Sequence, residues 1–82
     1  MSAVLVELMV RATCGSCARV AEQIAPVVAE AGAELKLVDV DKAGLAMEYG
    51  DRVPVVVIDG DEFACWEVDN AELREELALI GH

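Results

Sequence analysis

Hydrophobic and polar positions along the chain switch between a two-residue and a 3.6-residue period, and the switches outline seven elements. Residues 3–10 are apolar except at Glu7, which predicts a buried strand. Residues 11–13 form a short loop, and Thr13 is a candidate N-cap for a helix running to about Ala31, with Gly32 as its stop. Val20, Ile24, Val27, Val28 and Ala31 fall on one face of that helix, while Arg19, Glu22, Gln23 and Glu30 fall largely elsewhere. Pro26 removes one backbone hydrogen bond and predicts a kink. Residues 34–40 alternate and read as a second strand. Asp41 is a candidate cap for a short helix over residues 42–49, which Gly50 ends. Val53-Pro54 then leads into Val55–Ile58, an uninterrupted apolar strand. Asp59-Gly60 is the strongest short hairpin signal in the chain, and residues 62–67 form the returning strand. Asp69 and Glu72 have capping-box-like spacing ahead of a last helix lined by Leu73, Leu77 and Ile80.

The predicted order is β-α-β-α-β-β-α. A helix joins the first two strands, which makes them parallel through a right-handed crossover. The last two strands make an antiparallel hairpin. The expected fold class is α/β, a mixed four-stranded sheet with helices on both faces, organised as one domain over residues 1–82.

Composition changes this picture in three ways. The hydrophobic set is dominated by Ala and Val with only three aromatics, which suits close packing of helix on sheet. The net charge of −10, with six dispersed cations, argues against a nucleic-acid partner, because phosphate binding needs clustered Lys and Arg. No apolar run approaches the ~20 residues of a membrane span, and no basic stretch precedes the first apolar run. The expected location is therefore cytoplasmic, away from membrane. Three cysteines do not fit a secreted disulfide framework, so a Cys-x-x-Cys pair reads instead as redox-active or metal-binding.

That pair is Cys14-Gly15-Ser16-Cys17, placed where a predicted strand hands over to a predicted helix. The first turn of a helix carries unpaired N–H groups and partial positive charge, and both stabilise a thiolate. A free thiol titrates near roughly 8.5, and such a setting lowers it. Cys17 lies one turn into the helix, within reach of Cys14 for a disulfide. Gly15 and Ser16 are small and leave Cys14 accessible. Arg11 and Arg19 are local cations expected to assist the thiolate, or simply to be solvated. A structural zinc site needs four ligands, and only Cys65 and His82 remain as soft candidates, so no metal is expected to be held that way. The plain reading of Cys65 is a small core hydrophobe, and that of Trp66 is packing. Val53-Pro54 is the second signal. Most X-Pro bonds are trans and merely start an element, but a proline placed here, between the second helix and the hairpin, is a candidate for the rarer cis bond, which would turn the Val53 backbone toward an extended substrate.

Thr13-Cys14-Gly15-Ser16-Cys17 after a first strand, Tyr49-Gly50-Asp51-Arg52-Val53-Pro54 before a hairpin, and a closing helix resemble the thioredoxin fold. The small size resembles glutaredoxins, especially small bacterial glutaredoxin-like proteins. The resemblance covers about residues 3–80. It implies a thiol–disulfide oxidoreductase with Cys14 attacking, Cys17 resolving and Pro54 as the cis-proline. Thr13, Gly15, Ser16, Val53, Pro54 and Asp69 are then the expected substrate contacts. The dipeptide between the cysteines is Gly-Ser, neither the Pro-Tyr of glutaredoxins nor the Gly-Pro of thioredoxins. The Gly-Gly-x-Asp stretch by which glutaredoxins hold glutathione is here Glu67-Val68-Asp69-Asn70, matching only at Asp69.

The resemblance therefore points to a disulfide-containing protein or a small thiol as substrate and a thiol or flavoprotein as reductant. No cofactor is expected beyond the redox-active cysteine pair, and a monomer is expected. A different class remains open. Cys14 and Cys17 followed by Ala18-Arg19-Val20 also resemble heavy-metal-associated domains, which carry Cu(I) or Zn on two thiolates. Those domains have Met where Ala12 stands and end in a strand. A third class is a binding module that makes little use of its thiols.

Overall fold

Side chains alternate across a strand, so a strand that is apolar on successive residues must be covered on both faces. Two strands here are of that kind, and they make the centre of the sheet. The computed structural model describes residues 4–12 and 14–80. Its elements are β1 (Leu5–Val10), α1 (Gly15–Glu30), β2 (Glu34–Asp39), α2 (Ala46–Tyr49), β3 (Val55–Ile58), β4 (Asp61–Cys65) and α3 (Asn70–Ile80). The strands order as β2-β1-β3-β4. β1 runs parallel to β2 and antiparallel to β3, and β3 runs antiparallel to β4. This is the expected β-α-β-α-β-β-α order and mixed sheet.

Each face of the sheet has its own core. Val6 and Leu8 of β1 and Val56 and Ile58 of β3 meet Val20, Ile24, Val27 and Val28 of α1 and Leu73 and Leu77 of α3. The intervening Met9, Val55 and Val57 point the other way, where Val40, Leu45, Ala46 and Tyr49 cover them. All four residues of β3 are buried. The small Val-rich surfaces let α1 and α3 settle closely on one side, as the composition suggested.

The hairpin forms as its turn residues dictate. Asp59 and Gly60 both take positive φ, 49° and 90°, as a two-residue type I′ turn requires. The Asp59 Oδ1 also accepts the Leu5 N–H at 2.9 Å, tying the turn to the start of β1. The α3 cap is the predicted one: Asp69 Oδ1 accepts the N–H groups of Ala71 at 2.8 Å and Glu72 at 3.3 Å. Asp69→Ala is expected to lower unfolding stability by about 1 kcal/mol, and Asp69→Ser to keep most of it, as read by urea denaturation.

Several expectations are corrected. The helix predicted over residues 42–49 is confined to Ala46–Tyr49, because Gly44 takes a φ of 74° and a turn occupies residues 40–44. Asp41 does not cap it. Asp39 Oδ1 accepts the N–H groups of Asp41 and Lys42 instead, and the Asp41 carboxylate turns to Arg11. β4 ends at Cys65 rather than at residue 67, since Trp66 has a φ of 67°. A bulge sits within it: Val56 opposes Ala64 while Val57 opposes Glu62, leaving Phe63 as the extra residue. β2 stops at Asp39. Ala31 and Ile80, predicted on apolar helix faces, are exposed because each lies at a helix end beyond the sheet. Pro26 lies inside helix α1, which continues to Glu30.

Tyr49 closes α2 against the second core, and the Arg52 guanidinium carbon lies 5.5 Å from its ring centroid. Burial, then the nearby Glu48 and Glu62, raise its phenol above the usual 10.0, with Arg52 opposing. The fold thus favours neutral Tyr49, and that preference is lost as pH rises from the unfolded value through the folded one. Spectrophotometric titration of this lone tyrosine is expected to show a midpoint above 10.0, with unfolding stability beginning to fall near that pH.

Candidate redox site at the head of the first helix

The end of β1 delivers the chain to the candidate site. The Cys14 N–H donates to the Arg11 carbonyl at 3.1 Å, closing a turn, and α1 begins at Gly15. Cys14 itself occupies the cap position, with φ −92° and ψ 107°, and makes no side-chain cap bond. The proposed cap Thr13 lies outside the described residues, as do its expected substrate contacts. The first turn of α1 contains no acidic residue, so its positive end meets no local carboxylate.

Cys14 and Cys17 are joined as a disulfide, with a Cα separation of 5.5 Å. The two sulfurs differ in access. Cys14 is half-buried, whereas Cys17 is only 3% exposed and packs inward. The Ser16 hydroxyl is 3.5 Å from the Cys14 sulfur, and Gly15 is exposed with open space around it. In chemical terms the arrangement offers one approachable sulfur at a helix N-terminus and one shielded sulfur behind it.

The Val53-Pro54 bond is cis. Met9 opposes Val55 in the antiparallel β1–β3 ladder, so the segment entering β3 and the loop leaving β1 lie at the same end of the sheet. The carbonyls around this segment are occupied: Arg52 Nη2 donates to Glu48 O at 2.9 Å, Trp66 Nε1 to Asp51 O at 3.4 Å, and Trp66 N–H to Pro54 O at 2.8 Å. Arg52 also pairs with Glu62. Among the described residues, no hydrogen bond uses the Val53 backbone. Val53 itself is half-buried.

Two hollows lie along the first turns of α1. One, of about 460 Å³, is lined by Ser16, Arg19, Gln23, Trp66, Glu67 and Val68. The other, of about 260 Å³, has Arg11, Ala12, Cys14, Cys17, Ala18 and Leu37 in its lining. Trp66 is 61% exposed and Leu37 55% exposed. The packing role expected of Trp66 is therefore corrected, since the left-handed backbone at that residue swings its ring outward. Nothing in the local sequence signals this conformation, which is uncommon for a bulky residue.

The two cations divide. Arg11 Nε and Nη2 fork onto both oxygens of Asp41 at 3.1 and 3.0 Å, and its Nη1 reaches the Gly50 carbonyl at 3.4 Å. The hydrogen bond to Asp41 is the main cause that raises its pKa further above an already high value. Arg19 is exposed and has no carboxylate within ion-pair distance among the described residues. Asp69 is engaged in capping α3 through Oδ1. Cys65, half-buried on β4, packs with the second core, as its hydrophobic character suggested. Among the described residues, no three His, Cys, Asp or Glu side chains converge on one point. No helix there is long and apolar enough to cross a membrane.

Comparison with known proteins gives these features a family. The family described as Glutaredoxin-like domain (DUF836) matches residues 5–78. Relatives in Mycobacterium tuberculosis and Mycobacterium bovis, each described as an uncharacterized protein, are 48% identical over 84 aligned residues. The match covers 95% of this chain and 87% of theirs. The thioredoxin of Fasciola hepatica superposes with a TM-score of 0.66 at 25% identity, over 94% of this chain and 80% of that one. Thioredoxin O2 of Arabidopsis thaliana, in its oxidized state, superposes with a TM-score of 0.66 at 22% identity, over 99% and 77%. The fold is thus thioredoxin-like, and its cysteine pair supports a redox-type function. The chain belongs to the Glutaredoxin-like domain (DUF836) family.

Proposed function

We propose that the protein is a thiol–disulfide oxidoreductase that reduces protein or low-molecular-weight disulfides through Cys14 and Cys17. One observation carries this reading: a Cys-x-x-Cys disulfide at the head of α1 with an approachable first sulfur and a shielded second. In the reduced protein, the Cys14 thiolate attacks one sulfur of a substrate disulfide. A Cys14–substrate bond forms, the substrate S–S bond breaks, and the other substrate sulfur leaves as a thiolate that takes up a proton. Cys17, deprotonated, then attacks the Cys14 sulfur and expels the second substrate thiolate. Two electrons have passed from the cysteine pair to the substrate, leaving the Cys14–Cys17 disulfide. A thiol or flavoprotein reductant returns them.

The helix terminus lowers the cost of the Cys14 thiolate, with Arg19 as the uncommitted nearby cation. The Val53 backbone before Pro54 pairs with an extended substrate, Gly15 and Ser16 border the attacked sulfur, and Thr13 remains an expected substrate contact. Asp69 remains an expected contact through the oxygen that does not cap α3. The chain works as a monomeric single domain in the reducing cytoplasm, without a further cofactor, nucleic acid or membrane.

The test is a redox titration of the purified protein with mass-shift alkylation. A reversible two-electron transition confined to Cys14 and Cys17, with turnover of a disulfide substrate, is expected. Tight stoichiometric Cu(I) binding without turnover would establish the carrier reading instead.

A further inference from the structure

Arg11 leads directly into the cysteine loop, and its side chain is committed to partners outside that loop. Its carbonyl accepts the Cys14 N–H at 3.1 Å. Its guanidinium spends two donors on Asp41, in the turn after β2, and aims a third at the Gly50 carbonyl, three residues before Val53. Gly50 is shaped for this contact. A Cβ there would overlap the Ala46 carbonyl and lie 3.1 Å from Arg11 Nη1. The Asp41 end is also fixed, since Asp39 Oδ1 holds the N–H groups of Asp41 and Lys42 at 3.0 and 3.3 Å. Arg52 and Trp66 hold the neighbouring carbonyls of Glu48 and Asp51. Of these three donors, Arg11 alone belongs to the segment that carries the cysteines.

We propose that Arg11 is a positioning residue that sets the gap between the Cys14 loop and the Val53-Pro54 segment, and so governs the reduction of extended peptide disulfides. The proposal rests on the thiol–disulfide reading and on Val53 as the strand-pairing position. A peptide paired to Val53 has its sulfur placed by that backbone. The distance from that sulfur to Cys14 is then set by whatever joins the two segments. A small disulfide lacking a backbone to pair finds Cys14 without this constraint. Charge is not the means, because the bidentate Asp41 carboxylate offsets the guanidinium locally. Lysine cannot substitute: it carries the charge but lacks the fork that binds a carboxylate with two N–H groups and a carbonyl with another.

The experiment compares the full-length protein with Arg11→Lys and Arg11→Met on two substrates, hydroxyethyl disulfide and an extended peptide containing an intermolecular disulfide. The pH profile of Cys14 alkylation is measured alongside. Misplacement of reacting atoms by about 1 Å can cost on the order of 100-fold. Both variants are therefore expected to lose about tenfold or more in kcat/KM for the peptide while changing less than about twofold on hydroxyethyl disulfide, with the alkylation profile unmoved. Equal losses on both substrates, or no loss on the peptide, would overturn the proposal. So would activity retained by Arg11→Lys and lost by Arg11→Met together with an upward shift of the Cys14 profile, which would show a charge effect. If Arg11→Met does not fold, Arg11→Lys decides alone. If the unmodified protein reduces neither substrate, the oxidoreductase reading itself fails, and that result is separate from any difference between variants.

Discussion

Replacing Cys17 with serine is expected to leave the first attack intact and to arrest the protein as a mixed disulfide through Cys14. Intact-mass measurement after exposure to a disulfide substrate should show one added half-substrate, removable by a dithiol. Cys14→Ser should show no adduct, and turnover in both variants should fall to background. The asymmetry follows from access. Cys14 sits at the cap of α1, half-buried beside open space at Gly15, whereas Cys17 is 3% exposed. Attack on an outside disulfide needs an approaching partner along the sulfur axis, which only Cys14 permits. Resolution needs an internal thiol at short range, and the 5.5 Å Cα separation supplies it. A Cys17→Ser protein that forms no adduct, beside a Cys14→Ser protein that does, would reverse the roles.

The largest stability effect is expected at Leu73. It is fully buried and joins α3 to the α1 side of the sheet. Leucine-to-alanine at such a site removes transfer free energy and leaves a cavity, costing about 2–5 kcal/mol. A chain of this size has about 4–12 kcal/mol in total. Leu73→Ala should therefore lower Tm by about 8 °C or more, since about 1 kcal/mol shifts a domain of this size by 4–8 °C. Leu79→Ala, on the same helix but 74% exposed, should stay within about 0.5 kcal/mol of the parent. Equal effects from the two substitutions would show that α3 is not anchored as described.

What could be read from the chain beforehand divides by sequence distance. The I′ turn at Asp59-Gly60, the Asp69 cap, the doubly buried Val55–Ile58 and the Cys-x-x-Cys at a strand-to-helix junction are local patterns, and each appears where its residues dictate. The misreadings arise where a distant or unpatterned contact decides. Asp41 looked like a helix cap because nothing nearby reveals a partner 30 positions earlier at Arg11. The Arg11–Gly50 contact spans 39 positions. The bulge at Phe63 and the left-handed Trp66 carry no glycine to announce them, and without them the exposed ring beside Ser16 cannot be anticipated. Ala31 and Ile80 carry the apolar periodicity of their helices past the point where the sheet stops providing a surface, and both are exposed.

β3 is covered on both faces and paired along both edges. Amides in such a strand exchange with solvent only when the whole molecule opens. Val55 to Ile58 should therefore be the slowest-exchanging backbone in the protein, far slower than the edge strand β2. The Val53-Pro54 segment continues directly into that strand. The segment proposed to receive a substrate is thus rooted in the part of the molecule that yields last, while Cys14 sits at the N-cap of α1 after a turn. On warming, binding geometry and global structure should disappear together rather than in sequence.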